Sequence, residues 1–78
     1  MNLHDRLEKI FRNVLGNDSI ELRDETTAAD IEGWDSIAHI NLMFSIEQEF
    51  GIQFVGNEFA QFTDVGDLKR SLEQKAVG

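Results

Sequence analysis

Apolar residues recur every three or four positions in three long stretches, which is the pattern of amphipathic helices. The first predicted helix runs from about Leu3 to Leu15 and stops at Gly16-Asn17. Its apolar face consists of Leu3, Leu7, Ile10, Phe11, Val14 and Leu15, and its wet side of Asp5, Arg6, Glu8, Lys9, Arg12 and Asn13. This helix should therefore bury one face against a core and leave the other in water.

The second predicted helix runs from Ser36 to about Phe50, with Asp35 as N-cap and Gly51 as stop signal. Its core face is expected to consist of Leu42, Met43, Ile46 and Phe50. A second apolar stripe, formed by Ile37, Ile40 and Phe44, is broader than one buried face needs. The spacing alone favours a core role for this stripe, whereas its closeness to Ser36 favours an interface.

The remaining segments complete an all-helical prediction. Residues 17–35 form a long connection, pinned by Ile20, Leu22 and Ile31, in which Thr26 or Thr27 caps a short turn over 28–30. After an extended piece at 52–55, the pattern predicts a short helix from about Asn57 to Phe62, anchored by Phe59 and Phe62. A final helix, capped by Thr63 or Asp64, reaches about Lys75 with Val65, Leu68, Leu72 and Ala76 inside. The prediction is one all-α domain over residues 1–78: a four-helix bundle with three long helices, one short helix and a long loop between helices 1 and 2.

Composition excludes several classes of protein. The chain has 78 residues and no cysteine, so it has no disulfide, no cysteine-based metal site and no thiol nucleophile of its own. A chain this short buries only about 60% of its unfolded surface and has little room to enclose a substrate. No membrane span or signal peptide is recognisable, so the cytoplasm is the expected compartment. A net charge of −8 disfavours nucleic acid and favours partners with basic patches, although acidity also serves solubility.

Ser36 is the most informative candidate for chemistry. A helix N-terminus offers unpaired N–H groups and partial positive charge, which suits a phosphate carried on this hydroxyl. The alternative is that Ser36 is only a second cap residue. Ser36 and His39 stand three apart, which permits a nucleophile and base on one helix, but without a pocket this is a weak hydrolase signal and packing of His39 at the core edge is favoured. Asp30, Glu32 and Asp35 do not match the calcium-loop pattern, so no specific metal site is expected.

A family resemblance rests on these residues. Gly33-Trp34-Asp35-Ser36-Ile37 resembles the Asp-Ser-Leu signature of acyl carrier proteins, with isoleucine in place of leucine. The similarity continues through Ile40, Leu42, Met43, Ile46, Glu47 and 49–52, which resemble the second helix of that family and its end. Residues 62–68 resemble the opening of the last helix, and Leu7, Phe11 and Val14 fit the first.

The resemblance implies a carrier and not an enzyme. It implies that a phosphopantetheinyl transferase attaches 4′-phosphopantetheine to Ser36, and that acyl groups ride on the terminal thiol as thioesters. The monomeric carrier would deliver them to acyl-transferring and synthase enzymes of fatty-acid, polyketide or related lipid biosynthesis. Its docking face would consist of the apolar Ile37, Ile40 and Phe44, with the acidic Asp35, Glu47 and Glu49 meeting basic patches on those enzymes.

Several departures from the family leave alternatives open. Many fatty-acid carriers have acids where Asn41 and Gln48 stand, and Trp34 and His39 are unlike the commonest forms. This thinner acidic stripe favours a dedicated pathway, such as polyketide, modified lipid, or aminoacyl or peptidyl transfer. Phenylalanines at 44, 50, 54, 59 and 62 could either fill the bundle or line a slot for cargo. An acidic interaction module without a prosthetic group and a small Ser36–His39 hydrolase are the alternatives from other classes.

Overall fold

The computed structural model describes residues 2–55 and 61–77. It contains α1 (Leu3–Leu15), a 3-10 turn (Ala28–Asp30), α2 (Ser36–Phe50) and α3 (Val65–Val77). The predicted bounds of the first two helices are confirmed, and α3 extends two residues further than predicted. Within the described residues there is no strand, and no helix is long and apolar enough to cross a membrane.

The predicted four-helix bundle is not confirmed. Residues 56–60, which carry most of the predicted short helix and Phe59, lie outside the described residues. Phe62 is not helical: it packs edge-on against Phe54, with ring centroids 5.6 Å apart, just before the cap of α3. The additional helical element in the described chain is the 3-10 turn, where Asp30 Oδ2 accepts the Thr27 amide at 2.9 Å. This turn ends at once because Ile31 takes an extended conformation.

Each helix begins at a side-chain cap that binds the amide three residues later. Asn2 Oδ1 accepts from the Asp5 amide, Asp35 Oδ1 from the Ala38 amide and Asp64 Oδ1 from the Asp67 amide, each at 2.8 Å. At α3 the Asp67 carboxylate in turn accepts from the hydroxyl and amide of Thr63. These bonds, together with one from Arg70, lower the pKa of Asp67.

The core lies where one face of each of the three α-helices meets part of the long connection. Its fully or nearly buried members are Leu7, Ile10 and Phe11 of α1, Ile20 and Leu22 of the connection, Leu42, Met43 and Ile46 of α2, and Val65, Leu68 and Leu72 of α3. The predicted core faces are confirmed for these residues, while Phe50 and Ile31 are half-buried at the margin. The side chain of Ala76 lies outside the described residues.

The connection between α1 and α2 is bound to α1 by two side chains that the sequence pattern assigned to water. Glu8 Oε2 accepts the Leu22 amide at 2.9 Å, and Arg12 Nε donates to the Ile20 carbonyl at 2.9 Å. Glu8 and Arg12 also pair with each other at 3.0 Å. The wet-side prediction is therefore wrong for Glu8, whose side chain is only 17% exposed. It fails because helical periodicity does not report where a loop folds back over a helix.

The same connection is also bound to α3. The amides of Val65 and Gly66 donate to the carbonyls of Thr26 and Asp24 at 2.8 and 2.7 Å. A Cβ at Gly66 would lie 3.0 Å from that Asp24 carbonyl oxygen, so any larger residue would require the loop to shift by a few tenths of an ångström. Lys69 Nζ donates to Asp24 Oδ1 at 2.8 Å, and this bond and charge lower the pKa of Asp24. Residues 20–26 of the long connection are thus held against both α1 and α3.

Candidate attachment site at the start of helix α2

Ser36 is exposed and is the first residue of α2. The N-cap is Asp35, which has extended backbone angles and accepts the Ala38 amide through Oδ1 at 2.8 Å. Since the cap is already supplied by Asp35, the interpretation of Ser36 as a second cap finds no support in the geometry. Its hydroxyl is placed where amides of a helix N-terminus make the local potential positive.

A tight turn delivers the chain to Ser36. The Trp34 amide donates to the Ile31 carbonyl at 3.3 Å, and the Asp35 amide to the Gly33 carbonyl at 3.1 Å. Gly33 has a φ of 91°, which L side chains rarely adopt. The glycine therefore allows the chain to reverse directly before the helix, which leaves Ser36 on an outer corner.

Trp34 and His39 form a hydrogen-bonded pair across this corner. Trp34 Nε1 donates to His39 Nδ1 at 3.0 Å, and the two ring planes lie within 13° of parallel, with centroids 6.0 Å apart. On its other side, Trp34 packs edge-on against the fully buried Phe11, with centroids 4.9 Å apart and an interplanar angle of 82°. The half-buried position of His39 matches the prediction that it packs at the edge of the core.

This pair also bears on the hydrolase alternative. A neutral imidazole has one donor nitrogen and one acceptor nitrogen, and here the acceptor Nδ1 is bonded to the indole. The hydrogen-bond network then assigns the proton to Nε2, so neutral His39 keeps no lone pair to take a proton from Ser36. The geometry does not support a Ser36–His39 nucleophile and base.

A groove of about 500 Å³ lies beside Ser36. Its walls combine apolar and polar side chains: Ala28, Trp34, Asp35, Ser36, His39, Ile40, Phe62, Thr63, Asp64 and Leu68. This volume is within the usual range for small-molecule sites. A group attached to Ser36 therefore has a surface along which to lie, between the beginnings of α2 and α3.

The second apolar stripe of α2 is open to solvent. Ile37, Ile40 and Phe44 are 73%, 60% and 62% exposed. A core role for this stripe, which spacing alone favoured, is therefore wrong, because the core forms on the Leu42 side of the helix. Ile40 and Phe44 also line a small apolar groove of about 290 Å³, together with Glu47 and Phe54.

The acidic residues of α2 have partners within the chain. Glu47 Oε2 accepts the Phe54 amide at 2.8 Å. Glu49 Oε2 accepts from Arg6 Nε at 3.0 Å, and Arg6 also donates to the Glu49 carbonyl and lies 4.4 Å from the centre of the Phe50 ring. The role of Arg6 carries no signal in the sequence, since it stands 43 residues from its partner.

A family model described as the phosphopantetheine attachment site matches residues 5–72. A curated acyl carrier protein of Clostridium acetobutylicum is 30% identical over 64 residues, which span 82% of this chain and 83% of that protein. The chain belongs to the acyl carrier protein family. The solution NMR structure of a holo acyl carrier protein from Geobacter metallireducens is 42% identical, with a TM-score of 0.89 over 99% of this chain and 88% of that one.

The family's prosthetic group is 4′-phosphopantetheine, and the start of α2 fits it on physical grounds. An exposed hydroxyl is available for a phosphodiester, the helix N-terminus favours a negative charge, and a groove runs alongside. The Asp35 carboxylate repels a phosphate, so the group should point away from it. A carrier of this family transports acyl groups and is not itself the catalyst.

Proposed function

We propose that Ser36 is the residue to which the prosthetic group is attached. In that step Ser36 Oγ bonds to the phosphorus of coenzyme A that carries pantetheine, and the bond from this phosphorus to the bridging oxygen breaks. Adenosine 3′,5′-diphosphate leaves and the hydroxyl proton passes to a base of the transferase. The observation that carries the proposal is an exposed hydroxyl on the first residue of a helix whose cap is supplied by its neighbour.

The chain's own residues then hold and present the group. The amides at the start of α2 stabilise the phosphate, while Asp35 directs it outward. The attached group supplies a terminal thiol, which holds an acyl group as a thioester. The chain has no cysteine, so this thiol is not one that side chains could supply. A flexible tether raises the effective concentration of cargo at a docked enzyme.

We further propose that Ile37, Ile40 and Phe44 form the centre of a docking face, with Asp35, Glu47 and Glu49 at its margin. The support is the high exposure of the three apolar side chains beside Ser36. Because Glu47 and Glu49 already accept hydrogen bonds within the chain, apolar contact should provide the larger share of docking. Small interfaces of this kind release quickly, as a shuttle requires.

The partners that fit this face are a phosphopantetheinyl transferase and acyl-transferring or synthase enzymes with basic patches. We propose that they belong to a dedicated pathway of polyketide, modified-lipid, or aminoacyl or peptidyl transfer. The support is that Asn41 and Gln48 place exposed neutral amides on α2 where fatty-acid carriers often have acids. We also propose that the monomeric carrier works in the cytoplasm, where coenzyme A is at hand. Full-rate support of the common fatty-acid elongation enzymes would contradict the pathway proposal.

Mass spectrometry tests the attachment. Incubation with coenzyme A and a broad-specificity transferase should add the mass of one phosphopantetheine to the wild-type chain. Ser36→Ala should abolish the gain, whereas the control Ser19→Ala, at an exposed loop serine, should keep it. A gain that survives in Ser36→Ala contradicts attachment at this residue. The absence of any gain with a panel of transferases would favour an interaction module without a prosthetic group.

Transferase kinetics test the docking face. Ile40→Ala and Phe44→Ala should each raise KM by about tenfold, the effect of losing roughly 1.4 kcal/mol of apolar contact. Glu47→Gln and Glu49→Gln should raise it by less than about threefold, because these side chains are already bonded within the chain. Val55→Ala, at an exposed apolar residue outside α2, is the control. Larger effects from the glutamates than from the apolar residues would show that charge dominates docking.

A further inference from the structure

We propose that His39 is a positioning residue for Ser36, which it holds in place through its hydrogen bond to Trp34. This inference rests on the proposed attachment at Ser36. It concerns how readily a transferase can use that hydroxyl, and it assigns a role to a tryptophan and a histidine that need not touch the reacting atoms.

The bond links side chains on either side of Ser36 in the sequence. Trp34 stands two residues before Ser36 and His39 three residues after it, so the 3.0 Å bond from Trp34 Nε1 to His39 Nδ1 restrains the segment that contains Ser36 while its hydroxyl stays exposed. The His39 backbone amide also donates to the Asp35 carbonyl at 2.8 Å. His39 thereby binds both residues that precede Ser36, Trp34 through its side chain and Asp35 through its backbone amide.

The pair ties this exposed corner to the core. Ser36 and Ile37 are exposed, so neither side chain anchors the first turn of α2 by burial. Trp34 supplies the anchor, because it lies between the His39 ring and the buried edge contact with Phe11. Without the indole–imidazole bond, the chain before Ser36 would be held only by its backbone hydrogen bonds and by the packing of Trp34 against the core, neither of which reaches the His39 side chain.

The hydrogen bond between Trp34 and His39 requires an unprotonated Nδ1 on His39. A protonated imidazole donates from both ring nitrogens and cannot accept from the indole N–H. Among the described residues that line the same groove, the charged groups are the carboxylates of Asp35 and Asp64, each of which accepts a helix amide. Protonation of His39 should therefore break the hydrogen bond to Trp34 and leave the chain at Ser36 less restrained.

Tryptophan fluorescence reads this bond directly, because Trp34 is the chain's single tryptophan. A titration from about pH 8 to 5, where histidines change charge, should move the emission of the wild-type apo protein. His39→Asn offers an amide oxygen as acceptor near the position of Nδ1 and should abolish the transition. His4→Asn, at the other histidine, should keep it. A transition that persists in His39→Asn has an origin other than His39 and overturns the proposal.

Kinetics with coenzyme A and a transferase separate positioning from docking. His39→Leu should lower kcat by about two- to tenfold, the factor that corresponds to one neutral hydrogen bond, with KM changed less than twofold. In His39→Asn, kcat should lie within about twofold of the wild-type value. The change of kcat between about pH 8 and 5 should disappear in His39→Asn and remain in His4→Asn. Each variant is first matched to wild type by circular dichroism, and the Asn variant decides the question if the Leu variant is unfolded.

The outcomes distinguish this inference from the attachment on which it rests. Wild-type rates in His39→Leu, or equal losses in His39→Leu and His39→Asn, overturn the positioning role while Ser36 remains the attachment residue. A wild-type chain that gains no mass overturns the attachment itself, and the fluorescence titration still decides whether the Trp34–His39 bond responds to protonation.

Discussion

Among the charged residues that the structure describes, Glu8 should be the most damaging to replace by alanine. The Glu8 carboxylate binds the Leu22 amide at 2.9 Å and pairs with Arg12 at 3.0 Å, which itself holds the Ile20 carbonyl. Both loop residues bury their side chains in the core. Removal of the carboxylate therefore leaves an amide without its acceptor in a part-buried setting and loosens the loop that leads to Ser36.

The expected loss of unfolding free energy follows from the hydrogen bonds that Glu8→Ala removes. A buried donor left without its partner costs about 1–3 kcal/mol, and a hydrogen bond to a charged group is at the upper end of the net scale. The Arg12 pair, part-exposed, adds little. We expect a loss of about 2 kcal/mol, which is a large share of the roughly 3–5 kcal/mol that a domain of this size has available. At about 4–8 °C per kcal/mol, the melting temperature should fall by roughly 8–16 °C.

Urea unfolding followed by Trp34 fluorescence measures this loss, since the indole packs against the buried Phe11. Glu21→Ala is the matched control, because Glu21 is an exposed glutamate on the same connection and should change stability by less than about 0.5 kcal/mol. Glu8→Gln should fall between the two, since an amide oxygen can still accept from Leu22. Equal unfolding midpoints for the alanine variants at positions 8 and 21 would refute the reasoning.

Three further predictions concern the caps, a close approach and pH. Ser36→Ala should change the free energy of unfolding by less than about 0.5 kcal/mol, whereas Asp35→Ala should cost about 1 kcal/mol, since Asp35 is the cap; similar losses in urea would assign the cap to both. Gly66→Val should cost about 1–3 kcal/mol by the same assay, because its Cβ would press on the Asp24 carbonyl oxygen, and a neutral result would show that the loop can move aside. Since the pKa of Asp24 and of Asp67 lies below the ordinary 3.8, their contribution to stability is present above that value and is lost as the pH falls through the folded pKa. The acid limb of the urea midpoint should therefore flatten in Asp24→Asn, and an unchanged limb would contradict this.

The two acids of α2 are engaged within the chain, so this carrier differs from one whose second helix presents unpaired carboxylates. The Arg6 guanidinium donates to both the carboxylate and the backbone carbonyl of Glu49, and the Glu47 carboxylate accepts the Phe54 amide. A carboxylate with a partner nearby attracts a second cation less strongly than a free one does. Docking through Ile40 and Phe44 should then depend less on ionic strength than docking through charge.

Helix bounds could be predicted from the sequence because their causes are local. Asp35 is a cap by its own side chain, and Gly16 and Gly51 both take the left-handed conformation, with φ of 64°, in which helices commonly end. Helical spacing likewise identified Leu42, Met43 and Ile46 as core. The same spacing misassigned the stripe of Ile37 and its neighbours, since periodicity reports that a face is apolar but not whether another element covers it.

By itself the sequence determined the extents of α1 and α2, the acidic surface and the setting of Ser36, since each depends on neighbouring residues in the chain. Only the tertiary structure decided that Glu8 and Arg12 hold the long connection, that Arg6 engages Glu49, and that Trp34 bridges Phe11 and His39. These contacts join residues far apart in sequence or on different elements, and their partners are chosen by packing, which no spacing along the chain encodes.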